Sequence, residues 1–216
     1  MDTDQLWAVI DEERRRLADL LEELNDAQWR TPSLCTAWTI RDVAAHLTAP
    51  PMTVAGLAIA MLRARGSFDR MIRDTAWRQA RRPTREFPEA LRTMVGSRHT
   101  PPFTTAIEPL VDLLCHAQDI ARPLGRRYPT PPDAALAAAD HIWQHSFPFH
   151  ARRRLRGVEL VATDVPWRAG SGPRVEGPIA ALLLLVSGRP VAVPELSGPG
   201  VAALPAAVNG HTATRC

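Results

Sequence analysis

The sequence predicts a mainly helical protein, a four-helix bundle followed by a small α+β unit. Three observations carry that prediction. Apolar residues recur at helical spacing in several segments between residues 4 and 144. Proline-rich breaks such as His99-Thr100-Pro101-Pro102 separate those segments. After about Arg156 the texture changes to short apolar runs bounded by glycine and proline. A chain of 216 residues is long enough to bury a core.

The first helix is expected over residues 4–24, where Leu6, Val9, Ile10, Leu17, Leu20, Leu21 and Leu24 fall on one face with charges opposite. A loop from Asn25 to Leu34 leads to a second helix capped by Thr39, with Asp42 as the reciprocal acceptor of a capping box. Pro50 has no N–H for the carbonyl of His46, so that helix is expected to kink or break there. Further helical stretches follow at 52–65 and 67–82, then a shorter one over 84–97 interrupted near Pro88. Residues 106–121 read as a helix that ends before Pro123 and Gly125, and another runs from about Asp133 to Gln144. No internal repeat appears, which favours a bundle over a solenoid.

In the last part, Val158–Thr163 and Arg174–Glu176 are expected strands with a turn at Gly170–Gly172. Gly177-Pro178 opens an apolar helix to Val186, and Val191–Leu196 is expected as a third strand. The expected domains are therefore 1–150, a bundle, and 151–204, a small α+β unit, followed by a disordered tail over 205–216.

Composition limits the function classes. All 26 basic residues are arginine, and the net charge of +3 is mild. The densest basic run, His150-Ala151-Arg152-Arg153-Arg154-Leu155-Arg156, is short and has no interleaved aromatics, so it reads as a solvated face or linker and no nucleic-acid partner is expected. No stretch of about 18 apolar residues occurs, so no membrane span is expected. The first residues lack the basic start and cleavage site of a signal peptide, and a cytoplasmic location is expected. Cys35, Cys115 and Cys216 are scattered and odd in number, which argues against a disulfide framework, and no CxxC pair suggests a thiolate zinc site.

Two stretches carry chemistry. In Thr39-Ile-Arg-Asp-Val-Ala-Ala-His46-Leu47 a single imidazole sits on an alanine-rich helix. In Asp112-Leu-Leu-Cys-His116-Ala-Gln-Asp119-Ile120, Asp112 and His116 are four apart and so project from the same helical face. Each alone is weak: a lone helical histidine is usually structural, and a D-x-x-x-H pair is often a surface hydrogen bond. Together His46, Asp112 and His116 make three ligands from two helices, the number that leaves a catalytic zinc one open position. Asp119 follows His116 by one turn and can accept a hydrogen bond from a ligand histidine, or pair with Arg122. Arginines near such a cleft can hold substrate carboxylates, and Arg122 is the expected cofactor-binding one.

The run Trp29-x-x-Pro32-Ser33-Leu34-Cys35-x-x-Trp38-Thr39 through His46-Leu47 resembles the opening of the mycothiol-dependent maleylpyruvate isomerase-like family, within the DinB-like superfamily. Asp112–Ile120 resembles that family's second metal helix. The resemblance implies a DinB-like four-helix bundle holding a divalent metal, usually zinc, on His46, Asp112 and His116. It departs at Asp112, where the family commonly has Glu; the shorter side chain must sit nearer the metal or reach it through a water. The last part resembles the family's small sterol-carrier-like domain at Thr163-Asp164-Val165-x-Trp167, Gly177-Pro178 and Ser187-Gly188-Arg189-Pro190. There Arg189 is the expected catalytic arginine, with helix C-terminal capping as its plain alternative. The implied function is a metal-dependent enzyme, monomer or homodimer, using mycothiol for S-transfer or thiol-assisted isomerisation of an electrophilic small molecule. A noncatalytic metal-binding bundle and a small apolar-ligand carrier are the alternatives.

Overall fold

The computed structural model describes residues 1–50, 52–100 and 104–205. All of the tail expected to be disordered except Pro205 lies outside the described residues. The chain divides into two compact units, one spanning Asp2–Tyr128 and one beginning at Pro129.

The first unit is all helix: α1 (Thr3–Glu22), α2 (Asp26–Trp29), α3 (Ile40–Leu47), α4 (Val54–Arg63), α5 (Phe68–Gln79), α6 (Glu86–Thr93) and α7 (Ile107–Ala121). Asp2 and Gln5 form a capping box on α1, whose Leu6, Trp7, Ile10, Leu17, Leu20 and Leu21 are buried. The loop expected from Asn25 contains the one-turn α2, capped by Asn25 with Gln28. Its Trp29 packs against Phe87 of α6, with ring centroids 5.8 Å apart. The core of the unit is formed where α1 packs on α6 and α7 while α3 packs on α5, α6 and α7.

α3 begins as its sequence predicts, with the Thr39 and Asp42 side chains each bonding the other's backbone N–H. It ends at Leu47, so the expected break falls one residue beyond His46. The interruption expected near Pro88 does not occur. Pro88 is the third residue of α6, where the N–H it lacks would have no helical partner. Every residue of α7 from Leu113 to Ala121 is buried, so this helix runs through the centre of the unit.

The second unit contains α8 (Pro132–Gln144), α9 (Ala151–Arg154), β1 (Glu159–Ala162), β2 (Arg168–Gly170), β3 (Arg174–Gly177) and α10 (Ile179–Val186). Within this unit α8 packs on α10. The sheet has the order β2-β1-β3, with β1 antiparallel to β2 and parallel to β3. At the turn before β3, Gly172 has φ +130° and a Cβ there would lie 2.3 Å from the Gly157 carbonyl oxygen. The third strand expected at 191–196 is instead a 3-10 helix, Pro190–Glu195. Pro190 and Pro194 fix φ and remove two N–H donors, which a ladder needs and a short helical turn does not. The strand that the sequence pattern does not announce is β2, three residues long. The fold class expected from sequence, mainly α with a small α+β part, is the one observed. Among the described residues no helix is long and apolar enough to cross a membrane.

α10 is apolar on all sides, and residues 179 and 181–186 are buried. Its preceding residue, Pro178, has no side-chain cap to give; Asp164 Oδ1 accepts from the Ile179 N–H at 2.8 Å instead. Asp164→Ala is expected to destabilise the protein by about 1 kcal/mol, the usual cost of a lost helix cap. An unchanged urea midpoint in that variant would show that the bond contributes nothing.

Candidate metal centre

The geometry of the first unit brings His46, Asp112 and His116 together. One ligand atom from each lies within 4.8 Å of the other two. His46 Nε2 is 3.9 Å from Asp112 Oδ2, and the two imidazole rings meet nearly edge-on, with centroids 5.1 Å apart. Two metal–ligand bonds of about 2.1 Å span at most about 4.2 Å. The remaining difference is within the swing of Asp112, whose side chain is 51% exposed. The shorter acid therefore still reaches the pair of histidines, and the set fits a divalent ion.

Local sequence explains the placement. Thr39 fixes where α3 starts, and the helix ends one residue after His46, so this imidazole sits in the last turn. Asp112 and His116 are one turn apart on α7, and burial of α7 from Leu113 onward leaves His116 5% exposed. Burial and the neighbouring His116 push the His46 pKa down to about 4, against an opposing pull from Asp112. At physiological pH His46 is neutral, the form that ligates metal.

Behind the ligand set lies a second layer. His116 Nδ1 is 2.8 Å from Asp119 Oδ2, and Asp119 is fully buried. A carboxylate only accepts, so Nδ1 carries the proton and Nε2 is the ligating nitrogen. Of the two roles expected for Asp119, the contact with the histidine is present. The Cys35 sulfur lies 3.2 Å from Asp119 Oδ2 and 3.8 Å from His116 Nδ1. Cys35 is buried, as expected of a packing residue. The Trp38 ring packs on both imidazoles, its centroid 5.5 Å from that of His46 and 6.4 Å from that of His116. The contacts of Trp38 and Cys35 with His116 are not evident from sequence. They join α7 to a loop some 80 residues earlier, and no local pattern encodes such a pair.

Arg122 follows α7, and its Nε donates to Gln118 Oε1 at 2.9 Å. Arg189 belongs to the second unit, is 2% exposed, and donates from Nη1 to the Ser187 carbonyl at 3.1 Å. The Arg189 and Gly188 N–H groups bond the Leu184 and Leu185 carbonyls, with Gly188 at φ +89°. This Schellman turn matches the capping alternative for the Ser187-Gly188-Arg189-Pro190 run.

The family model of the mycothiol maleylpyruvate isomerase N-terminal domain matches residues 10–156. A crystal structure of the mycothiol-dependent maleylpyruvate isomerase is similar in fold, with a TM-score of 0.60 and 15% identity, covering 88% of this chain and 90% of that one. A histidine-to-alanine mutant of such an enzyme superposes with a TM-score of 0.61 and 14% identity, covering 92% and 93%. No curated protein matches by sequence.

Proposed function

This chain belongs to the family of the mycothiol maleylpyruvate isomerase N-terminal domain, and from that premise we propose that it is a metal-dependent enzyme that uses mycothiol. Its reaction is S-transfer to an electrophilic small molecule or thiol-assisted isomerisation of one. The observation that carries the proposal is the convergence of His46, Asp112 and His116, with Asp119 bonded behind His116.

A divalent ion on two imidazoles and one carboxylate, a donor set suited to zinc, supplies the positive charge that keeps a coordinated thiol ionised near neutral pH. The side chains prepare for that charge. Asp119 holds the Nδ1 proton of His116 and so directs Nε2 into the site. His46 has no proton to lose before it ligates. Two neutral imidazoles and one carboxylate bring a single negative charge, which leaves a dication attractive to an anionic sulfur. Trp38 covers the two histidine rings and keeps water from one side of them.

The thiolate sulfur attacks an electrophilic carbon. In isomerisation a π pair moves to the adjacent atom as the S–C bond forms, and the sulfur later leaves as free thiol. In S-transfer the S–C bond persists: an activated alkene takes up a proton from solvent at the carbon that receives the π pair, and an alkyl halide releases halide as the S–C bond forms. Arg122 is the arginine proposed to hold the thiol cosubstrate, and Arg189 the one proposed to assist the reaction.

Metal-loaded protein is expected to consume mycothiol in the presence of activated alkenes or alkyl halides, and chelator-stripped protein to consume none. The measurement is loss of free thiol with time. Absence of any metal-dependent thiol consumption across such a panel would remove the S-transfer reading. The isomerisation reading, in which the thiol is returned, is tested by thiol- and metal-dependent cis–trans conversion of a cis-alkene diacid. Absence of both activities would remove the enzymatic reading.

A further inference from the structure

A cavity of about 420 Å³ opens in the first unit beside the turn that carries His46. Arg14, Thr48, Ala49, Pro50, Arg82 and His99 are among its lining residues. The Ala49 N–H donates to the His46 carbonyl at 3.1 Å, so the cavity wall is continuous with the end of the metal helix. The volume suits a small organic molecule.

Arg14 is 2% exposed, and its guanidinium is only half used. Nη1 donates to Asp11 Oδ1 at 3.0 Å, to the Met94 carbonyl at 2.6 Å and to the Ser97 carbonyl at 3.0 Å. Nε is buried with no acceptor, and among the described residues no acceptor meets Nη2. Nη2 therefore keeps donor capacity that an acceptor entering the cavity can use through a charge-assisted hydrogen bond.

Arg82 provides a second cation on the same wall. Its Nε donates to Glu86 Oε2 at 3.0 Å, and among the described residues neither terminal nitrogen meets an acceptor. His99 adds an imidazole to the same lining. Among the described residues no Asp or Glu lines the cavity, and the Asp11 and Glu86 counter-charges bind other nitrogens of the two arginines. Like-signed lining of a partly enclosed space concentrates ligands of the opposite sign.

We propose that this cavity binds a carboxylate of a small anionic molecule, with Nη2 of Arg14 and the terminal nitrogens of Arg82 as its donors. The carboxylate site rests on the cavity and its arginines alone.

The test is calorimetric titration of metal-free protein with succinate and with its neutral analogue succinamide. Wild-type protein is expected to bind succinate saturably and to ignore succinamide. Arg82→Gln and Arg14→Lys are each expected to weaken succinate binding about tenfold or more, the effect of losing charge-assisted hydrogen bonds. Arg82→Gln leaves the Arg14 contacts to the Met94 and Ser97 carbonyls in place, so it decides the matter even if Arg14→Lys does not fold. No saturable succinate binding, equal binding of succinamide, or wild-type affinity in Arg82→Gln would each overturn the proposal. Zinc stoichiometry on the same preparations tests the metal centre separately.

Discussion

Protein carrying His116→Ala is expected to purify without stoichiometric metal and to show no metal-dependent consumption of thiol. His116 is the ligand whose orientation is most tightly fixed: it is 5% exposed, its outer nitrogen is bonded to Asp119, and Trp38 packs on its face. Removing it leaves His46 and Asp112, one neutral imidazole and one half-exposed carboxylate, which are too few to hold a dication against water. Asp112→Ala is expected to lose less, because both imidazoles remain. Elemental analysis of protein prepared without chelators, with circular dichroism to confirm folding, measures both. One equivalent of metal retained by folded His116→Ala would remove this residue from the centre.

The parts of this site legible in sequence are those written locally. The Thr39 and Asp42 box fixes the start of α3, and the four-residue spacing of Asp112 and His116 sets them on one face of α7. What joins the two helices is carried by the family resemblance, since periodicity cannot say that residue 46 meets residue 116. The second layer is only partly legible. Asp119 lies one turn from His116 and is within reach of local reasoning, whereas Cys35 and Trp38 arrive by tertiary packing. The same division holds for the fold. Segments of ten residues or more declare themselves as helices, but β2 is three residues long, and the apolar run at 191–196 gives no sign that its prolines make it helical. The spare donor capacity of Arg14 is invisible in sequence, because it depends on which carbonyls the end of α6 presents.

Asp119→Asn is expected to weaken metal binding by roughly 10- to 100-fold while leaving the fold intact. The substitution is nearly isosteric, and the amide oxygen can still accept from His116 Nδ1. What it removes is the negative charge that makes the imidazole a better donor at Nε2 and that offsets the ion's positive charge from behind. An amide can also turn its NH₂ group toward Nδ1, which favours the tautomer with the proton on Nε2 and blocks ligation. Competition against a chromophoric chelator measures the affinity, and nitrogen chemical shifts of the His116 ring report the tautomer. A purely structural Asp119 predicts a different pattern, a lower denaturation midpoint with unchanged metal affinity and tautomer. Because Asp119 is fully buried, some loss of stability is expected in either case, so the affinity and the ring shifts are the measurements that separate the two roles.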